Sequence, residues 1–113
     1  MGAILGVPPK DRLYLDAKIT LDVTPDADLS SASAIRAYIV NAGGDETQWG
    51  SDQSGVSANT TVTADDTPED LTVGGEPIQA GTEYTLRWVY EDSDGDENTI
   101  TEDPIKFSVP SDG

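Results

Sequence analysis

The chain has 113 residues, 22 acidic and 6 basic, a formal charge of −16, and neither Cys nor His. That length supports one compact domain burying roughly two-thirds of its unfolded surface, and the composition removes disulfides, Cys/His metal sites and Cys- or His-based catalysis. A nucleic-acid duplex or an anionic membrane would be repelled, so neither is an expected partner.

The acids are 15 Asp and 7 Glu against three Lys and three Arg. A surface so charged repels itself in dilute buffer, whereas at molar salt the Debye length falls to about 3 Å and the repulsion is screened. Strong salt also favours apolar burial, so the modest 35% apolar content can still make a core. The composition therefore reads as that of a protein folding in brine. The charge is uneven: residues 1–56 hold eight acids and four bases (net −4), residues 57–113 fourteen acids and two bases (net −12).

Residues 1–12 open on the apolar run Ala3-Ile4-Leu5, followed by Gly6, Val7, Pro8 and Pro9. The run is too short for an export-signal core and lacks a basic flank before it, so the chain is expected to be made and kept in the cytoplasm unless it leaves within an assembly. The segment reads as an assembly arm, with Ile4, Leu5, Val7, Pro8, Pro9, Lys10 and Arg12 as its contact residues. The alternative is a strand or turn covering the protein's own core.

From Leu13 to Val23 apolar and polar residues alternate almost without a break, which predicts one half-buried strand. Thr24-Pro25-Asp26 opens a loop, and a second strand follows over 34–40, ended by Ala42-Gly43-Gly44-Asp45. Gln48-Trp49 reads as a short strand before a Ser/Gly-rich loop, with Trp49 the most exposed aromatic and a candidate anchor on a neighbouring subunit. A Thr/Val-rich strand is expected over 56–64, a turn over 65–70 and a short edge strand over 71–73. The strongest pattern is 83–91, where Tyr84, Leu86, Trp88 and Tyr90 share a face. Asp94-Gly95 marks a tight hairpin returning through 99–102, and Ile105, Phe107 and Val109 line a last strand that Pro110 stops.

No segment shows a helical period, and short strands with turns every 8–12 residues point to an all-β antiparallel sandwich of about 7 strands. The domain is expected over 13–110, between the arm at 1–12 and a tail at 111–113. The predicted core is Leu13, Leu15, Ile19, Leu21, Ile35, Ala37, Ile39, Val62, Leu86, Trp88, Ile105, Phe107 and Val109.

Few residues suggest chemistry. Asp92, Asp94 and Asp96 in the acidic hairpin offer carboxylates to a hard cation, but Gly95 sits fourth from Asp92, where a helix–loop–helix calcium loop needs Gly sixth. They stand as weak candidates for an irregular cation site, against a solvated turn. Asn59-Thr60-Thr61 fits the N-glycosylation acceptor pattern, which without an export signal reads as chance. Acids this numerous pair by accident, and no Gly-rich phosphate loop or nucleophile motif is present, so an enzyme is not expected.

The segment Ala80-Gly81-Thr82-Glu83-Tyr84-Thr85-Leu86-Arg87-Trp88, then Asp94-Gly95, then Pro104-Ile105-Lys106-Phe107-Ser108-Val109, resembles the ending of small Ig-like domains in structural proteins of tailed viruses, including domains of the upper-baseplate type. The stretch from Asp28 to Ile39 is similar to that family's second strand, with Ser31 where Gly is common. The matches run from about 13 to 109. The resemblance implies an Ig-like sandwich with no catalytic residues and no cofactor beyond weakly bound cations. It implies assembly with other virion structural proteins, such as the major capsid protein, as a homo-oligomer. With the acidity, it points to a decoration or turret subunit on a haloarchaeal virus capsid. A head–tail connector or baseplate component, or a cellular surface module, are the alternatives.

Overall fold

The computed structural model describes residues 13–109. The order is β1 (Ile19–Val23), β2 (Ala34–Val40), β3 (Glu46–Gln53), β4 (Val62–Asp66), a 3-10 turn (Pro68–Asp70), β5 (Thr72–Val73), β6 (Glu76–Pro77), β7 (Glu83–Glu91) and β8 (Glu97–Lys106). All strand pairs are antiparallel: a four-stranded sheet ordered β3-β2-β7-β8, a two-stranded sheet β1-β4, and a small β5-β6 ribbon. The fold is an all-β sandwich, with the chain crossing between sheets after β1, after β3 and between β4 and β7.

The order β3-β2-β7-β8 parallels one sheet of an Ig-type sandwich, while the β1-β4 sheet has only two strands where that architecture has four. A second feature fits it. The Tyr84 hydroxyl, at the start of β7, accepts the backbone N–H of Gln79 at 2.9 Å, the upstream tie of a tyrosine corner.

β2 and β7 span the residues their alternation predicts. The first predicted strand does not survive intact. The Leu13 carbonyl accepts the Ser108 N–H at 2.8 Å and the Leu15 N–H donates to the Ser108 carbonyl at 2.9 Å, a parallel bridge at Tyr14 to the chain beyond β8. A turn closed by Ala17 N–H to the Tyr14 carbonyl, 3.2 Å, then carries the chain to the other sheet, where only Ile19–Val23 pairs with β4. Period-2 patterning records which residues face inward, and it is blind to a turn that preserves that parity. The expected strand over 56–64 lies later, at Val62–Asp66, because Ser57–Thr61 forms a loop tied to Pro25 through the Asn59 N–H, 2.8 Å. The two predicted final strands are one, β8, with Pro104 tolerated at a sheet edge.

Trp49 corrects the expectation of an exposed anchor. It is 0% exposed, its ring stacks on Phe107 at 6.0 Å between centroids and 18° between planes, and its indole N–H donates to the Ala64 carbonyl at 3.0 Å. Polar neighbours suggested a loop, but in β3 they take the outward positions while Trp49 points in. Gly50 makes the approach possible: at φ +76, it lies where an added Cβ would come within 3.0 Å of the Asp65 carbonyl oxygen and 3.1 Å of the Ala64 Cβ. Its N–H donates to the Asp66 carboxylate of β4 at 2.8 Å, while β3 runs on through a bulge to Gln53 paired with Ile35 of β2.

The core joins Ile35, Ala37, Ile39, Trp88, Ile105, Phe107 and Val62 from the predicted set with Trp49, Leu29, Val73, Ile78 and Tyr84. Ile19 also belongs to it, and Leu13, Leu15, Leu21 and Leu86 are half-buried against it. Val109 is the one clear error in the predicted core: it is 64% exposed, because the ladder ends at Lys106 and the chain leaves the sheet after the bridges at Phe107 and Ser108.

Candidate interaction surface

The outward face of the four-stranded sheet carries an ionic cluster centred on Arg36. Strand order places Arg36 of β2 between β3 and β7 and within reach of β8. Its guanidinium meets Asp52 at 2.8 Å, Glu91 at 2.7 Å and Glu97 at 2.9 Å. The Tyr38 hydroxyl donates to Glu97 at 2.6 Å, and Gln48 donates to Asp52 at 2.9 Å. A second pair, Arg87 with Glu46, sits beside it, with the Arg87 guanidinium 5.7 Å from the centre of the Tyr38 ring. Val89, cross-strand from Arg36 on this face, is buried, so the cluster stands over an apolar residue.

One cation facing three carboxylates ties four strands together at one end of the sheet. Hydrogen bonds from Arg36 and then Gln48 hold the Asp52 carboxyl below its ordinary range, and the carboxylates, Asp52 first, raise the affinity of Arg36 for its proton. The stabilising charge on Asp52 is fully present above the unfolded value of about 3.9 and is lost as pH falls through the lower folded one.

Burial, and then the bond to Glu97, push the Tyr38 hydroxyl up to about 12. The fold thus prefers neutral Tyr38: that contribution is complete below the unfolded value of about 10 and disappears as pH rises through the folded one. Absorbance at 295 nm should show one of the four tyrosines ionising near 12, and Tyr38→Phe should delete that step. An unchanged titration in the variant would mean that Tyr38 is not the late group.

The acidic hairpin is built differently from the tight turn expected. Asp92 pairs with Asp96 through the Asp92 N–H and Asp96 carbonyl at 2.9 Å, leaving a three-residue loop with Gly95 at φ +85. One Asp92 carboxylate oxygen accepts the N–H groups of Asp94 at 2.9 Å and Asp96 at 3.0 Å, and the other accepts the Asn98 amide at 3.1 Å. These bonds, Asn98 first, hold the Asp92 carboxyl below its ordinary range. Asp92, Asp94 and Asp96 do present oxygens within 4.8 Å of one another, the three brought together as the sequence suggested. Asp92 is occupied in shaping the turn, so a cation here would draw mainly on the exposed Asp94 and Asp96. The β2–β3 turn repeats the device: the Asn41 side-chain oxygen accepts the Asp45 N–H at 2.9 Å.

Of the predicted interface residues, Ile4, Leu5, Val7, Pro8, Pro9, Lys10 and Arg12 lie outside the described residues, and Trp49 is in the core. Tyr84 and Trp88 are buried and Tyr90 is half-buried, the arrangement of a core stripe. The Arg36 cluster escaped sequence reading. Its signal was an arginine on the polar phase of β2, rare in so acidic a chain. At the opposite end of the sheet, Glu83, Glu102 and Asp103 rim an open groove floored by Val40 and Tyr84. No protein-family model, curated protein or solved structure matches this chain.

Proposed function

We propose that this protein is a non-enzymatic virion structural subunit of a halophilic tailed virus, a capsid decoration or turret component that packs on other virion proteins in brine. The observation that carries the reading is the charge: −16 on a small sandwich, where Arg36, one of four basic residues in the described part of the chain, is already paired with three carboxylates of its own sheet. The resemblance of the 80–109 segment to Ig-like domains of tailed-virus structural proteins supplies the class. The surface suits docking more than turnover, since its charged clusters hold strands and turns together. A head–tail connector or baseplate position in the same particle is the nearest variant.

Two measurements test this. Particles banded from a haloarchaeal virus that encodes the chain should contain it in stoichiometric amount. Its recovery in the cell envelope and absence from particles would overturn the assignment in favour of a cellular surface module. For the brine component, circular dichroism should show full β-structure at about 3 M NaCl and its loss as salt is lowered, because the Debye length grows from below about 3 Å to beyond about 10 Å under 0.1 M. Complete folding at about 50 mM NaCl, where screening is weak, would remove the halophilic assignment.

A further inference from the structure

The four-stranded sheet defends its outer edge. β8 carries a bulge where Trp88 faces Thr101 and Val89 faces Thr99, and it displays Pro104, Glu102 and Asp103, three devices that stop another strand from adding. The two-stranded sheet is less defended among the described residues, with neither a bulge nor a proline in β1. Among the described residues β1 has a hydrogen-bonded neighbour, β4, on one side only. β1 is Ile19-Thr20-Leu21-Asp22-Val23, five residues with no proline and one charge, and its pairing with β4 is regular throughout. Leu21, at its centre, is half-buried rather than covered.

We propose that the edge of β1 that meets no strand among the described residues pairs with β1 of a second copy of this chain, antiparallel about a two-fold axis at Leu21, to make a continuous β4-β1-β1-β4 sheet. An isologous contact of this kind closes on itself and limits growth to a dimer. The register follows from the faces. Pairing Leu21 with Leu21 sets Ile19 opposite Val23 and Thr20 opposite Asp22. Every inward residue then meets an inward residue, and the two cores become continuous.

The charges agree with that register. Lys18 is one of only four basic residues in the described part of the chain, and it lies at the start of this edge, exposed, 3.7 Å from Asp65. In the dimer it falls diagonal to Asp22 of the second copy, within reach of a long side chain. The two Asp22 carboxylates also approach across the axis, and each copy carries a formal charge of −16, so screening of the overall repulsion between copies lets association strengthen with salt. The inference deepens the assembly reading above, from which it takes only its biological setting.

The absence of native Cys makes the test direct. Thr20→Cys and Asp22→Cys chains, mixed at molar salt and bridged with a short bis-maleimide, should give a covalent heterodimer. The unmodified chain should run at twice 11.9 kDa by light scattering. Lys18→Asp should shift the protein toward monomer, and the swap Lys18→Asp with Asp22→Lys should restore the dimer, with circular dichroism checking that each variant folds. A monomer at every concentration, with no link between copies, would overturn the inference. So would an internal link in an Ile4→Cys, Thr20→Cys chain, which would put the chain's own N-terminal segment on the edge. A dimer in solution with no chain in virus particles would instead count against the virion assignment alone.

Discussion

Replacing Trp49 with alanine should destabilise the fold by about 3–5 kcal/mol, the usual cost of emptying a large aromatic site in a core. The ring is wholly buried, stacks on Phe107, and spans the space between β3 and β4, where its N–H meets the Ala64 carbonyl at 3.0 Å. Alanine removes the packing and leaves that carbonyl without its donor, a further penalty for a buried acceptor. Against a total stability of about 5–15 kcal/mol, the variant should be largely unfolded at moderate salt. Trp49→Phe keeps most of the volume and should lose less, on the order of 1–2 kcal/mol. Urea unfolding at fixed molar NaCl, followed by circular dichroism, measures both. Had Trp49 been a surface anchor, alanine would have changed stability by no more than about 0.5 kcal/mol.

Trp49 also shows what a one-dimensional reading of this chain catches and what it loses. β2 and β7 were legible because each is a central strand whose inward phase is apolar throughout and packed on the core, so hydrophobic alternation and structure coincide. β3 is an edge strand whose outward residues include Glu46, Gln48 and Asp52, and one buried tryptophan beside Thr47 gives too little alternation to show that it points inward. The turn between Tyr14 and Ala17 was hidden for a related reason: the inward phase is the same on both sides of it. Loop chemistry was legible only in kind. Asp94-Gly95 announced a turn, but the length of that turn depends on how Asp92 disposes its two oxygens. Of the Arg36 cluster only the arginine on the polar phase of β2 was legible, because Asp52, Glu91 and Glu97 come from three other strands that the sheet order β3-β2-β7-β8 draws together. Charge counting found the acids, and strand order decided which of them have partners.

Gly55→Ala should be the most damaging single-methyl change in the described chain, and its cause is steric. An added Cβ would sit 2.3 Å from the Leu29 carbonyl oxygen and 2.8 Å from that of Ala32, both backbone atoms with no side-chain freedom to yield. The loop after β1 docks there: the Leu29 N–H donates to the Val56 carbonyl at 2.8 Å, and the Ala32 N–H closes on the Leu29 carbonyl at 3.0 Å. Displacing the Leu29 carbonyl strains both bonds and draws the buried Leu29 side chain from the core. A cost of about 3 kcal/mol, the upper part of the range for forced overpacking, is expected. Ser54→Ala next door, on an exposed residue, should stay within about 0.5 kcal/mol. The two variants, unfolded side by side in urea at the same salt, separate a local clash from a general sensitivity of the loop. Equal midpoints would mean that the 28–33 loop does not rest on Gly55. A large loss confined to Gly55→Ala would identify this contact as the one holding the β1–β2 crossover against the sandwich.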